Sequence, residues 1–189
     1  MKHIPDDYFL TIDDDLLAYL EKQGEDCIRE LQQSNTINKE NGYKLLSILI
    51  VGIGSSFMFL TQRHRFDFMS AGITVFTVYW TICAIYLVLK VLAVRQRGMI
   101  ATSPELLYHQ GYKEITNDDF EDFKRRGFSG EPSTLGVMRR YRLKGICTTA
   151  DELSKVNSLL GTALTRVRIA VIITPVCAIV VSTLTYLFF

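Results

Sequence analysis

Three stretches of the chain are apolar and free of charged residues, and they constrain its fold more than any other feature. They cover residues 45–61, 69–89 and 169–189, which are 17, 21 and 21 residues long. A helix rises about 1.5 Å per residue, so about 20 apolar residues cross the hydrocarbon core of a bilayer. The two longer runs reach that length, and interfacial residues such as Tyr43 and Gln62 can extend the shorter first one.

The alternative is that these runs form buried helices of a soluble protein. Three such helices in 189 residues would leave too little polar surface to cover them. The sequence therefore predicts an all-α membrane protein with three transmembrane helices and a small, mostly helical cytoplasmic region. Four segments follow from this prediction: a cytoplasmic acidic amphipathic helix at 1–43, a transmembrane hairpin at 44–97, a cytoplasmic ligand or partner region at 98–149, and a long helix at 150–189 that continues into the third span.

The positive charges that flank the spans predict the orientation, because cytoplasmic loops are enriched in Lys and Arg. Six flanking residues would share one side, namely Lys39, Lys44, Arg95, Arg97, Arg166 and Arg168. Only Arg63 and Arg65 lie between the first two spans. We therefore expect a multi-pass membrane protein, with its N-terminus in the cytoplasm and its C-terminus outside.

The polar segments differ in charge and in predicted structure. Residues 1–44 hold five Lys/Arg against ten Asp/Glu, whereas residues 95–168 hold thirteen against nine. Residues 13–33 have the apolar stripe of an amphipathic helix, which must be buried on the 95–168 region or on a neighbouring subunit. For the later region we expect short helices at 103–111 and 118–126, strand-like alternation at 137–143, and a helix that begins at the capping box Thr149-x-x-Glu152.

The last of these helices carries an apolar seam with heptad spacing, which is typical of helices that pack along their length. Its members are Leu153, Val156, Leu160, Ala163 and Val167. Two interpretations remain open: the seam holds a homo-oligomer together, or it packs within one subunit. Continuity with the third span favours self-association and a role in transmitting motion to the membrane.

The second span carries hydroxyl side chains along one helical face, at spacings of four, three and four residues. They are Ser70, Thr74, Thr77 and Thr81. Such residues permit close helix packing, and they could also line a pore formed by several copies. No span contains a carboxylate or a histidine, which argues against a proton-coupled transporter and leaves a passive channel.

Two basic clusters in the polar region are candidates for binding an anion, because arginine forks match phosphate oxygens and tyrosine can stack on a base. The candidate ligand-binding residues are Lys124, Arg125, Arg126, Arg139, Arg140, Tyr141, Arg142 and Lys144. Pairing with the acidic N-terminal helix, binding of anionic lipid headgroups and simple solvation are the alternatives. The sequence contains no catalytic motif, cofactor fingerprint or metal-ligand spacing, so we expect neither an enzyme, nor a cofactor, nor a metal site.

A hairpin of two spans after an acidic N-terminal helix, followed by the long helix TTADELSKVNSLLGTALTRVR, resembles small bacterial membrane effectors of the SLATT type. Those effectors are encoded beside nucleotide-signal synthases in anti-phage systems, although a third span departs from the simplest two-span pattern. The resemblance implies a homo-oligomeric pore of the bacterial inner membrane that is gated from the cytoplasm by a nucleotide or oligonucleotide. Separately, we expect contact with membrane lipids and none with duplex nucleic acid. The alternative is a membrane-anchored scaffold that recruits a protein partner.

Overall fold

The computed structural model describes residue 5 and residues 7–63, 67–93 and 108–188, and within these ranges all regular structure is helical. Helix α1 covers Asp14–Thr61, and α2 covers Phe68–Leu87 and continues through a π-helical turn, Val88–Leu92. Two short helices follow, α3 at Gln110–Lys113 and α4 at Asn117–Arg125, and α5 covers Thr134–Phe188. Three of these helices are long and apolar enough to cross a membrane, which confirms the prediction of a multi-pass helical protein.

Helix α5 begins fifteen residues earlier than the predicted capping box at Thr149, and the expected strand at 137–143 is wrong. The buried positions in this part of α5 recur every three residues, at Val137, Arg140 and Leu143. That spacing belongs to a helix rather than to a strand. The pattern was hidden in the sequence because an arginine occupies one of the buried positions.

Helix α1 joins the predicted amphipathic helix and the first span without a break, so Gly24 and Gly42 lie inside one helix. Both glycines face close neighbours. A side chain at Gly24 would collide with Ile146, and one at Gly42 would lie 3.1 Å from Val91. Glycine therefore allows a tight approach to a neighbouring helix at both positions, which offsets its low helix propensity.

The short helix α4 was predicted nearly correctly, with its cap displaced by one residue from Asn117 to Thr116. The Thr116 hydroxyl accepts a hydrogen bond from the Asp119 amide, and the Asp119 carboxylate accepts one from the Thr116 amide at 2.8 Å. The Thr116 hydroxyl also donates to the Asp119 carboxylate at 2.8 Å, and the bonds from the Thr116 amide and hydroxyl, the backbone one first, lower the pKa of Asp119. The helix ends at Arg125, and Gly127, which follows the cap residue Arg126, has a φ of 95° that suits glycine. Of the helix expected at 103–111, residues 103–107 lie outside the described residues.

The first of two compact units comprises residues 1–33 and 96–155. Its interior consists of three apolar clusters, centred on Leu10, on Leu17 and on Ile146. The first cluster places Leu10 of the segment before α1 against Phe128 and Val137. The amphipathic stripe predicted for residues 13–33 is thus partly buried within the same chain.

The second unit comprises residues 34–95 and 156–189 and contains the apolar part of the three long helices. Its core contains Leu49, Cys83, Leu87, Val91, Leu92, Leu160, Ala163, Leu164 and Val167. Asn35 and Asn157, both buried, share a hydrogen bond of 2.8 Å. Large apolar side chains such as Val51, Ile82 and Ile172 point outward. An apolar exterior on helices of this length is what a bilayer requires.

Candidate functional site

The predicted basic cluster on α5 forms ion pairs with acidic residues of α1. Arg140 binds Asp14 at 3.1 Å, Arg139 binds Glu21 at 2.6 Å, and Arg142 binds Glu25 at 2.5 Å. The three acidic residues are spaced seven and four apart, so they lie on one face of α1. We call these six residues the α1–α5 ion-pair cluster. Pairing with the acidic helix was one of the alternatives for the basic residues, and it is the arrangement in the structure.

Arg140 is the most buried member of the cluster, with a relative exposure of 1%. Its guanidinium donates hydrogen bonds to the carbonyl oxygens of Gly136 (2.9 Å) and Ile12 (2.8 Å). It also lies 4.5 Å from the centre of the Phe128 ring, a favourable cation–π geometry. Arg140 therefore joins the segment before α1 to the start of α5. The predicted ligand contact at this residue is incompatible with its burial in this conformation.

Arg139 and Glu21 form a partly buried pair. Two nitrogens of Arg139, Nε and Nη2, donate to the same oxygen of Glu21 at 3.0 and 2.6 Å. The hydrogen bond to Glu21 raises the pKa of Arg139. The second Glu21 oxygen is buried and accepts no hydrogen bond from the described residues, and the nearest cation is Arg142 at 3.9 Å.

Arg142 and Glu25 are the accessible pair of the cluster, since their side chains are 47% and 49% exposed. A charge-assisted hydrogen bond at such a position exchanges readily with solvent and with ions, and contributes little to stability. Burial therefore decreases along the cluster from Arg140 through Arg139 to Arg142. Of the three arginines, Arg142 is the one that a dissolved anion can reach.

The other predicted basic residues are distributed over α4 and α5. Lys124 and Arg125 pair with acidic residues one turn earlier on α4, at 3.0 and 3.2 Å, and are exposed. Arg126 binds Asp7 through two nitrogens, and this hydrogen bond raises the pKa of Arg126. Lys144 is half-buried on α5.

Tyr141 contributes, after Asp7, to the raised pKa of Arg126, so the structure brings these two predicted residues together. Its ring is half-buried, 6.5 Å from that of Tyr112, and it lines a cavity.

Three of the four hydroxyl groups predicted to line a pore bond to their own helix in this structure, and the Ser70 hydroxyl donates to the Asp67 carboxylate at 3.0 Å. Thr74, Thr77 and Thr81 each donate to the carbonyl oxygen four residues earlier, at 2.7 to 2.8 Å. Ser70 is buried, and the three threonines are half-buried. These bonds satisfy the hydroxyl groups inside an apolar environment. They match the packing interpretation, and pore lining stays a prediction.

The predicted oligomer seam lies inside the chain. Leu160, Ala163 and Val167 belong to the core of the second unit, and Val156 packs against that core. Leu153 belongs to the core of the first unit, with Ile28 and Ile146. The contacts described correspond to packing within one subunit, so self-association through this seam stays a prediction that they do not support.

Segment 7–12 also belongs to the site, and this was not predicted from the sequence. The Ser129 amide donates to the Leu10 carbonyl oxygen at 3.1 Å, and the Ser129 hydroxyl donates to that of Thr11 at 2.9 Å. The run of Tyr8, Phe9 and Leu10 in an acidic surrounding was the signal that could have indicated a buried segment.

The described residues thus offer one cluster of ion pairs between two helices that both continue into apolar segments. The chemistry available there is electrostatic, the exchange of one anion for another at a guanidinium. No group of acidic, histidine or cysteine side chains among the described residues has the geometry of a metal site. Comparison of the chain with protein-family models, with curated proteins and with solved structures found no match.

Proposed function

We propose that the chain is a homo-oligomeric membrane channel or pore, gated from the cytoplasm by an anionic, nucleotide-like ligand. One observation carries the proposal: the α1–α5 ion-pair cluster joins the two helices that also supply the first and third candidate spans. An event that alters the pairing of α1 with α5 acts directly on membrane-spanning helices. In this proposal the chain performs no catalysis and needs no cofactor.

The ligand would act by competition with carboxylates. A phosphate group offers the same kind of oxygen acceptors as Glu25, and arginine binds both in bidentate fashion. Arg142 and Arg126 are the contacts that we propose, because each is about half exposed and already bound to an anion. Replacing Glu25 by a phosphate would free that carboxylate and loosen the contact between α1 and α5.

A pore requires several copies, because three helices of one subunit cannot enclose a water path. The Ser70, Thr74, Thr77 and Thr81 face is the polar surface that we propose for it. Opening would then require α2 to expose hydroxyl groups that bond back to its own carbonyl oxygens. The resemblance to SLATT-type effectors supports a nucleotide or oligonucleotide as the ligand and a role in defence against phage.

The second candidate is a membrane-anchored scaffold that recruits a cytoplasmic protein. A specific observation favours it: each arginine of the cluster already has a carboxylate partner, and the span hydroxyls are satisfied. The cluster would then be purely structural, and the first unit would present an exposed surface to a partner protein.

A charge exchange at the accessible pair separates the two candidates. The purified chain is placed in planar bilayers, and its conductance is measured with a panel of cyclic and linear oligonucleotides, at two salt concentrations. The variants are Arg142→Glu, Glu25→Arg and the double exchange, which reverses the pair but keeps its attraction. Lys124→Glu on exposed α4 is the matched control for reversal of one positive charge.

If a ligand binds Arg142, the double exchange restores folding and assembly but not the response to the oligonucleotide. A purely structural pair predicts that the double exchange behaves as wild type in every assay. Absence of ligand-dependent current for wild-type protein, with no rotationally symmetric oligomer in electron micrographs, would leave the scaffold as the better account.

A further inference from the structure

A cavity of about 400 Å³ lies in the first unit, beside α3, α4 and the beginning of α5. This volume lies within the range of small-molecule sites, roughly 300–1,000 Å³. Four aromatic residues, one carboxylate and one buried aliphatic residue supply its principal walls: His109, Tyr112, Phe123, Tyr141, Asp119 and Val137. The cavity is separate from the α1–α5 ion-pair cluster, and Tyr141 is the residue that connects it to Arg126.

The aromatic walls are held in place by contacts among themselves. The rings of His109 and Tyr112 stack with centres 4.3 Å apart, and the ring of Tyr141 lies 6.5 Å from that of Tyr112. The His109 Nδ1 accepts a hydrogen bond from the Gly111 amide at 3.1 Å, which fixes the imidazole at the entrance to α3. Burial, with Tyr141 nearby, raises the pKa of Tyr112, so its phenol stays neutral.

The electrostatic character of the lining favours a positive guest. The faces of aromatic rings carry negative potential and attract cations within about 6 Å of the ring centre. Asp119 adds a carboxylate whose lowered pKa keeps it ionised at neutral pH. Among the described residues, no lysine or arginine lines the cavity. Arg126, the basic residue that interacts with Tyr141, is already bound to Asp7.

An anionic guest fits these walls less well. A phosphate beside Asp119 would meet a like charge, and the amide of Asp119 at the start of α4 is already bonded to Thr116. A bare metal ion would need several oxygen or nitrogen ligands, whereas the lining offers one carboxylate. A cation that carries its own apolar groups satisfies both the rings and the charge.

We propose that this cavity binds a small organic cation with an alkylated ammonium group, of the size of choline. The alkyl groups would contact Tyr112, Phe123 and Tyr141, and the charge would face Asp119. The proposal stands apart from channel activity, since it rests on the cavity alone.

The test is titration calorimetry of the full chain with choline and with tetramethylammonium. The protein is held in nanodiscs of phosphatidylethanolamine and phosphatidylglycerol, because phosphatidylcholine itself carries a trimethylammonium group. The matched neutral guest is 3,3-dimethylbutan-1-ol, which has the shape of choline without its charge. We expect both cations to bind and the neutral alcohol to bind at least about fivefold more weakly, since cation–π contacts are worth about 1 kcal/mol or more.

Four variants locate the site. Tyr112→Leu removes a ring, and Asp119→Asn removes the charge while its amide oxygen can still accept the hydrogen bond from the Thr116 amide. Each should weaken choline binding at least about fivefold, and Tyr108→Leu, outside the lining, should leave it unchanged. Circular dichroism establishes that each variant is folded. Tyr141→Phe retains the ring and should still bind choline, and it serves as the tyrosine variant if Tyr112→Leu misfolds.

The proposal is overturned if neither cation binds at 10 mM (about the weakest limit of interest for a specific site), or if the neutral alcohol binds as well as choline. It is also overturned if the Asp119→Asn variant binds choline as wild type does. Binding of adenosine monophosphate instead of choline would show a nucleotide site and would equally overturn it.

Discussion

Replacement of Arg140 by methionine should release the segment before α1 from the start of α5. Methionine matches the aliphatic stem of arginine and lacks the guanidinium, so the substitution removes the charge, the hydrogen bonds and the contact with the Phe128 ring. Arg140 donates to the Ile12 carbonyl oxygen, to the Gly136 carbonyl oxygen and to Asp14.

These three contacts differ in what their loss should cost. Asp14 is 47% exposed, so water can replace its partner and the loss there is roughly 0–1 kcal/mol. Ile12 loses a charge-assisted bond, worth about 1.5–3 kcal/mol. Removal of a buried guanidinium whose Nε has no partner among the described residues offsets part of that sum. We expect a net destabilisation of about 1–3 kcal/mol.

Hydrogen exchange measures this change locally, because amides exchange through opening of the segment that protects them. The Ser129 amide, which donates to the Leu10 carbonyl oxygen, is the reporter. A loss of about 1–3 kcal/mol corresponds to exchange roughly 5-fold to 150-fold faster. Arg125→Met removes an exposed i,i+3 pair and should change the rate by less than about threefold.

Unchanged exchange at Ser129 in the Arg140→Met variant would refute this account of the segment before α1. The same conclusion would follow if the Arg125→Met control accelerated exchange as much, because the effect would then reflect net charge rather than the contacts of Arg140.

Three further predictions concern the core, a thiol and the orientation. Asn157→Leu should lower the free energy of unfolding by about 1–3 kcal/mol, because it removes the bond to buried Asn35. The double change Asn35→Leu/Asn157→Leu should recover most of this lost stability, and thermal unfolding in detergent measures both variants. Burial, Asp151 and Cys27 raise the pKa of Cys147, so less of its thiolate is present at neutral pH. Alkylation of Cys147 by iodoacetamide should therefore be slower than that of an ordinary thiol, and it should be faster in the Asp151→Asn variant at the same pH. A reporter that is active only in the cytoplasm should stay silent when fused after Phe189, and a signal there would contradict an outside C-terminus.

The parts of the fold that follow from local pattern were predictable from the sequence. Three apolar runs predicted the three long helices, since the length of a charge-free run is a direct measure of its ability to cross a bilayer. Helix α4 was predicted to within a residue because its polar cap and its terminal Gly127 are local signals.

What depends on tertiary contacts was not predictable. The start of α5 was missed because Arg140 occupies a position that a periodicity argument expects to be apolar. Its burial becomes acceptable through tertiary contacts such as those with the carbonyl oxygen of Ile12 and the ring of Phe128. Exposure of the individual arginines at 139, 140 and 142 also depends on tertiary contacts, so the sequence could not reveal which of them is exposed. The aromatic cavity was missed because Tyr112 and Tyr141 are far apart in sequence and meet only after folding.

The unequal burial of the cluster also decides which substitutions can reveal a ligand. Reversal of all three arginines would place a carboxylate at Arg140, where an unpaired buried charge costs several kcal/mol, so loss of function would follow from misfolding alone. Arg139 has the same difficulty to a lesser degree, because its partner Glu21 is also buried. At Arg142 both partners of the Glu25 pair are half exposed, so a reversal there costs less stability than at Arg140, and its main cost comes from the buried Glu21 oxygen 3.9 Å away. The double exchange with Glu25→Arg restores a cation one helical turn from Glu21, so a loss of ligand response that remains in it can be attributed to the ligand. The accessible end of the cluster is therefore where an electrostatic gate could operate and also where it can be tested.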